Sequence, residues 1–103
     1  MALKTGDTLY VVTHVDVVPK HAAEGEKILR EFAAAIRDEA GLIRFEVLQE
    51  IARPNHFTIS SAWESAQVFE AHVGAVRTRK FREALHPLLG SPFDERLHRL
   101  AQE

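Results

Sequence analysis

The sequence predicts a single α+β domain over residues 1–103, built in the order β-α-β-β-α-β, the split arrangement of ferredoxin-like folds. Three observations carry this. A β-branched run opens the chain, apolar residues recur at helical spacing in two later stretches, and two strand-like runs flank a Pro-Asn loop.

The opening run, Thr8–Val18 (TLYVVTHVDVV), stops at Pro19, which cannot donate to a strand ladder. Both of its alternating sets are apolar: Leu9, Val11, Val15 and Val17 on one, Tyr10, Val12 and Val18 on the other. Such a strand is expected to be covered on both faces. In Lys20–Gly41, residues Ile28, Leu29, Phe32, Ala33 and Ile36 recur at helical spacing, and Gly41 suits the C′ position of that helix. Leu42–Ile51 and His56–Trp63 read as strands around the loop Ala52–Asn55. Ile43, Phe45 and Val47 share one face of the first, and Phe57, Ile59, Ser61 and Trp63 share one face of the second.

Ser65 suits the N-cap of a second helix, with Val68, Phe69, His72, Val73 and Val76 on one stripe. Gly74 weakens its continuity. A further helical piece, Thr78–Leu85, turns Phe81, Ala84 and Leu85 inward before Pro87 stops it, and Phe93–Leu100 closes the chain as a poorly alternating strand. Right-handed crossovers put both helices on one side of the sheet. The other side is then bare, so a second copy packing sheet to sheet, a homodimer, is expected.

Composition narrows the function classes. Hydrophobic residues at 46% and charged residues at 27% fit a globular chain. A net charge of −2 argues against a general nucleic-acid binder. The absence of cysteine excludes disulfides, thiolate metal sites and cysteine nucleophiles. No apolar run approaches a membrane span and the N-terminus has no secretory h-region, so a cytoplasmic protein is expected. The six histidines show no metal-ligand spacing, and phosphate-cradling glycine motifs are missing, so neither metal nor cofactor is expected. Asp94 and Glu95 point to opposite faces, which is poor geometry for a shared acid–base pair.

Trp63 reads either as a core anchor or as a flat wall that stacks on an aromatic ligand and gives it one hydrogen bond. His72 lies on an apolar stripe and points inward. It is either a satisfied core histidine or a proton acceptor for a phenolic or enolic substrate. His14 interrupts the first strand in the set with Val12 and Asp16. It is either a second pocket proton donor or a resident of the less buried face. In the basic cluster Arg77–Arg82, Phe81 faces the core, Arg79, Lys80 and Arg82 face solvent, and Arg77 can reach a pocket mouth and favour an anionic ligand.

Taken together, YVVTHVDVVP, RFEVLQEIARPNHFTISSAWES, FEAH and DERL resemble the antibiotic biosynthesis monooxygenase family and its quinol monooxygenase members, over roughly Leu9 to Leu100. The ordered series carries the resemblance, since no one motif is highly specific. It implies a dimeric α/β barrel, two four-stranded sheets packed face to face, with a pocket in each subunit between the sheet and its own helices. It further implies cofactor-independent oxygenation of an electron-rich aromatic, such as a dihydroquinone, anthrone or polyphenol, by O₂. In relatives the strand-end Trp lines the pocket, and a His follows it at the nine-residue spacing seen here between Trp63 and His72. His72 and His14 are therefore the candidate catalytic residues, with Trp63, Phe45, Arg77 and Phe81 as candidate substrate contacts. Two departures stand out: haem-degrading relatives have Asn at the His14 position, and many relatives have a second His at Arg77. A non-catalytic dimer binding a small aromatic ligand and a haem-degrading relative are the alternatives.

Overall fold

The computed structural model describes residues 6–102. It contains strands β1 (Leu9–Asp16), β2 (Leu42–Gln49), β3 (His56–Trp63) and β4 (Asp94–His98), and helices α1 (Ala22–Ala35), α2 (Ala66–Gly74) and α3 (Val76–Leu85). The strands form one antiparallel sheet in the order β2-β3-β1-β4, which is the expected ferredoxin-like topology. Among the described residues no helix is long and apolar enough to cross a membrane.

Strand alternation divides the sheet into two unlike faces. Leu9, Val11, Thr13 and Val15 of β1 are buried under the helices, whereas Tyr10, Val12, His14 and Asp16 lie on the outer face, half-buried or exposed. The register extends this across the sheet, with Thr13 opposite Ile59 and Glu95, and His14 opposite Thr58 and Asp94. The chain thus covers one face of β1 with its own helices and leaves Tyr10 and Val12 partly open on the other.

The core joins Val15, Phe57 and Ile59 of the sheet to Leu29, Phe32 and Ile36 and to Phe81 and Leu85 of α3. Phe32 and Phe81 stack at 3.9 Å with a 5° interplanar angle, tying α1 to α3. A second cluster gathers Leu9, Val11, Trp63 and Phe69 beneath α2. Gly25 lets α1 approach the sheet, because a Cβ there would lie 2.8 Å from Val17 Cγ2. That close approach accounts for a residue costing about 1 kcal/mol in a helix interior.

Four local expectations change. α1 ends at Ala35 rather than running to Gly41, and Glu39 N donates to Ile36 O in the turn that follows. Gly41 does take a positive φ of 83°, but it opens β2 instead of capping a helix. An irregularity between Leu42 and Arg44 seats Leu42 opposite Trp63, so Ile43 leaves the face of Phe45 and Val47 and is 55% exposed. The second helix breaks after Gly74: Ala75 is extended, caps both α2 and α3, and turns Val76 outward to 58% exposure.

Gly41 makes a direct test of this packing. A Cβ at Gly41 would sit 2.4 Å from Val68 Cγ1, and the positive φ alone costs a non-glycine residue about 1–2 kcal/mol. Gly41→Ala is expected to lower the denaturant midpoint, and by distinctly less in a Val68→Ala background, where the clash is relieved and only the backbone cost remains.

Candidate active site

The site forms where α2 passes over the inner face of β3. Ser65 caps α2, its Oγ accepting from Val68 N at 3.2 Å, and this fixes the phase of the helix. Phe69 and His72, three residues apart, then turn toward the sheet. Trp63 ends β3 on the inner face, fully buried. Its ring centroid lies 4.4 Å from that of His72, with Phe69 at 5.5 Å and edge-on to the indole. Trp63 and His72, nine positions apart in sequence, are neighbours in one cavity wall.

His72 is 4% exposed, and its Nδ1 lies 2.8 Å from Glu39 Oε2. Burial lowers its pKa below the ordinary 6.5 because the charged ring is desolvated, and the nearby Glu39 carboxylate only partly restores it. Arg82 lowers it slightly further and Glu95 opposes that. The ring is therefore neutral at pH 7. With its Nδ1–H donated to Glu39, the lone pair of the neutral ring is on Nε2. Thr78 Oγ1, buried, stands 3.5 Å from the same Nδ1.

Glu39 is held in turn. Arg77 Nη2 donates to Glu39 Oε1 at 2.8 Å, and Arg77 Nη1 donates to Ala35 O at 2.9 Å, at the end of α1. A carboxylate only 14% exposed is thereby satisfied on both oxygens, as its burial demands. Arg77 acts here differently from the sequence expectation. Its guanidinium is spent on Glu39 and the helix terminus instead of lining the cavity as an anion contact.

Across the cavity stands a second polar group. Arg82 Nη2 donates to Glu95 Oε1 at 2.8 Å and to Oε2 at 3.1 Å, and Thr13 Oγ1 donates to Glu95 Oε1 at 3.3 Å. Arg82 also lies over the Phe93 ring, 4.8 Å from its centroid. Its buried Nε–H has no hydrogen-bond acceptor among the described residues. Arg82 was expected to face solvent; the turn of α3 brings it to the cavity because Phe93 and β4 close over that side.

Between these two groups lies a cavity of about 20 Å³ walled by Phe32, Phe45, Trp63, Phe69, Phe81 and Phe93. This is close to the room one water needs, and far below the ~300–1,000 Å³ usual for small-molecule pockets. Phe45 and Phe81 are among its walls. Trp63 is a wall, but its indole N–H is committed to Ser61 Oγ at 3.1 Å and so is not a free donor to a ligand. His14 does not join the site. Alternation turns Thr13 inward and His14 outward, where His14 Nδ1 lies 3.3 Å from Thr58 Oγ1 on the opposite face of the sheet. Among the described residues no three His, Asp or Glu side chains converge as a metal-ligand set.

Glu39 and Glu95 escaped the sequence reading. Glu39 sits in a turn whose shape depends on where α1 ends. Glu95 was set aside because its neighbour Asp94 faces the other way, yet that same alternation is what sends Glu95 inward.

Comparison with solved structures gives the same fold. SnoaB, a cofactor-independent oxygenase from Streptomyces nogalater, superposes with a TM-score of 0.82 at 22% identity, over 94% of this chain and 96% of its own. Rv0793 from Mycobacterium tuberculosis gives 0.86 at 14% identity, over 94% and 98%. A Nitrosomonas europaea protein named as a candidate antibiotic biosynthesis monooxygenase gives 0.87 at 15% identity, over 98% and 96%. No curated protein matches the chain. The sequence profile of the antibiotic biosynthesis monooxygenases matches residues 8–84, a span that holds β1 to α3 and both Trp63 and His72; the chain belongs to that family.

Proposed function

We propose that the protein is a cofactor-independent monooxygenase of an electron-rich aromatic, a dihydroquinone, anthrone or polyphenol, with His72 as general base. The observation that carries this reading is the 2.8 Å bond from His72 Nδ1 to the buried Glu39 carboxylate, in a ring kept neutral by its burial. Family membership and the oxygenase activity named for SnoaB support the same class.

Ground-state O₂ is a triplet and does not react directly with a closed-shell substrate, so the substrate must first become a one-electron donor. His72 Nε2 takes a proton from the phenolic oxygen or the acidic ring carbon, while Glu39 stabilises the imidazolium that forms. The Arg82 Nε–H supplies a donor for the negative charge left on substrate oxygen. The anion passes one electron to O₂, and the resulting radical and superoxide combine into a carbon–oxygen bond. The imidazolium of His72 returns its proton to the peroxide anion, and loss of water from the R₂CHOOH so formed leaves a carbonyl, so R₂CH₂ and O₂ give R₂C=O and H₂O with the base restored. Trp63, Phe45 and Phe81 clamp the ring and keep the anion dry. The aromatic walls must part to admit a substrate, since the closed cavity holds none.

We also place a second copy of the chain against the outer sheet face, over Tyr10 and Val12, giving a homodimer. Light scattering at micromolar concentration is expected to return twice the chain mass, and a monomer would overturn the assembly.

A ligand-binding dimer without turnover would use the same aromatic walls. Oxygen consumption separates the two. In an oxygen-electrode screen of aromatic diols, His72→Ala is expected to slow uptake by about 10²–10⁴-fold, the usual share of general base catalysis. Binding without uptake in the wild type would support the second reading.

The pH profile tests the carboxylate's part. The base works only when unprotonated, and its pKa in the free protein is below 6.5, so the acid limb of kcat/KM is expected below pH 6.5. Glu39 raises that pKa, so Glu39→Gln is expected to move the limb to still lower pH and to lower the plateau, the base being weaker. An unmoved limb would remove Glu39 from the mechanism.

A further inference from the structure

The inner cavity cannot receive a ring as it stands, so a route into it must open. Immediately outside, between α1 and the edge strand β2, lies an open groove of about 410 Å³. Phe45 is the one residue that lines both spaces. Its ring stands edge-on to Phe32, with centroids 5.9 Å apart, and it is only half-buried. β2 has a neighbour on one side only, so a rotamer change of Phe45 displaces no second strand.

The groove has a definite chemistry. Val47 and the exposed Ile43 give it apolar surface, and among the described residues the charged ones that line it are Arg30, Arg37 and Arg44. Arg30 bonds Glu26 at 2.6 Å, and Arg44 lies 3.3 Å from Glu46, both partners standing outside the groove. Arg37 makes no ion pair among the described residues and keeps its guanidinium open to solvent. A cationic rim beside apolar surface that leads to an aromatic-walled chamber fits a planar ring system bearing a carboxylate. An Arg fork can hold such a group bidentately.

We propose that the α1–β2 groove is the entrance and anion subsite of the inner cavity, that Arg37 holds the carboxylate of an aromatic-acid substrate there, and that Phe45 is the gate. This rests on the oxygenase reading only in taking the inner cavity as the place of the reacting ring. Ligand arrival can be followed without turnover, because Trp63 is the sole tryptophan and lies inside that cavity.

The test uses 1,4-dihydroxy-2-naphthoate and its neutral counterpart 1,4-dihydroxynaphthalene as probes, without oxygen, read by Trp63 fluorescence in stopped flow. Arg37→Ala is expected to weaken the acid by about tenfold and the neutral diol by less than twofold, since a bond to a charged group is lost from one ligand only. Phe45→Ala is expected to speed association of both probes severalfold. Phe45→Leu, a milder change, guards against a misfolded variant and should act in the same direction. Equal effects of Arg37→Ala on both probes would overturn the anion subsite. Association rates unchanged in both Phe45 variants would overturn the gate, and no fluorescence change with either probe would overturn the whole proposal. The two readings fail separately. Arg37-dependent binding without oxygen uptake would sink the oxygenase and spare the groove, and oxygen uptake indifferent to Arg37 and Phe45 would do the reverse.

Discussion

The bond between the Glu39 carboxylate and His72 Nδ1 organises this molecule. It joins the turn after α1 to the buried face of α2, and Arg77 of α3 closes the same contact from the other side while also holding the last carbonyl region of α1. Three helices are thus tied at one carboxylate. A buried carboxylate left without partners would cost several kcal/mol, so each of the three elements is needed where it is. The arrangement also decides the chemistry of the ring. It fixes the tautomer, directs the lone pair to Nε2, and partly offsets the lowering of the pKa by burial.

The rest of the cavity follows from aromatic packing. Phe32 packs against Phe81 and Phe45, Phe69 packs against Trp63, and His72 joins the two sets by lying beside both Phe32 and Trp63. Such rings are well packed yet turn about two side-chain bonds. The same wall that stabilises the fold therefore bounds the candidate reaction chamber. The polar pair Arg82–Glu95 is the one charged group set into it, anchored by Thr13 from the centre of the sheet.

The outer sheet face has a different logic. Its Tyr10 and Val12 share that face with His14 and Asp16 of β1, His56 of β3 and, across β3, Arg44 and Glu46 of β2, so it is a mixed surface. His14 belongs to that surface. An ion pair between His56 and Asp16 at 3.1 Å sits beside it. Neither histidine lines the cavity on the other side of the sheet.

Much of this was readable from the chain itself. The β-branched run, the helical stripes and the Pro-Asn loop determined the element order, because periodicity reports directly on which faces are buried. The inward aim of Trp63, His72, Phe45 and Phe81 followed from the same periodicity. Sequence alone also marked Gly74 as a weak point, and the helix does break there. Tertiary structure decided the rest. Whether His14 or Thr13 faced the helices turned on the phase of one strand, and an outward set with two apolar members left that phase open. Arg77 and Arg82 depart from their expected places because the carboxylates that hold them, Glu39 and Glu95, come from distant parts of the chain. Glu39 could not be found by spacing at all, since it lies 33 positions from His72 and meets it only because α1 stops at Ala35. Local periodicity fixes which side a residue faces; which distant charge it meets is settled by where elements end and how they cross.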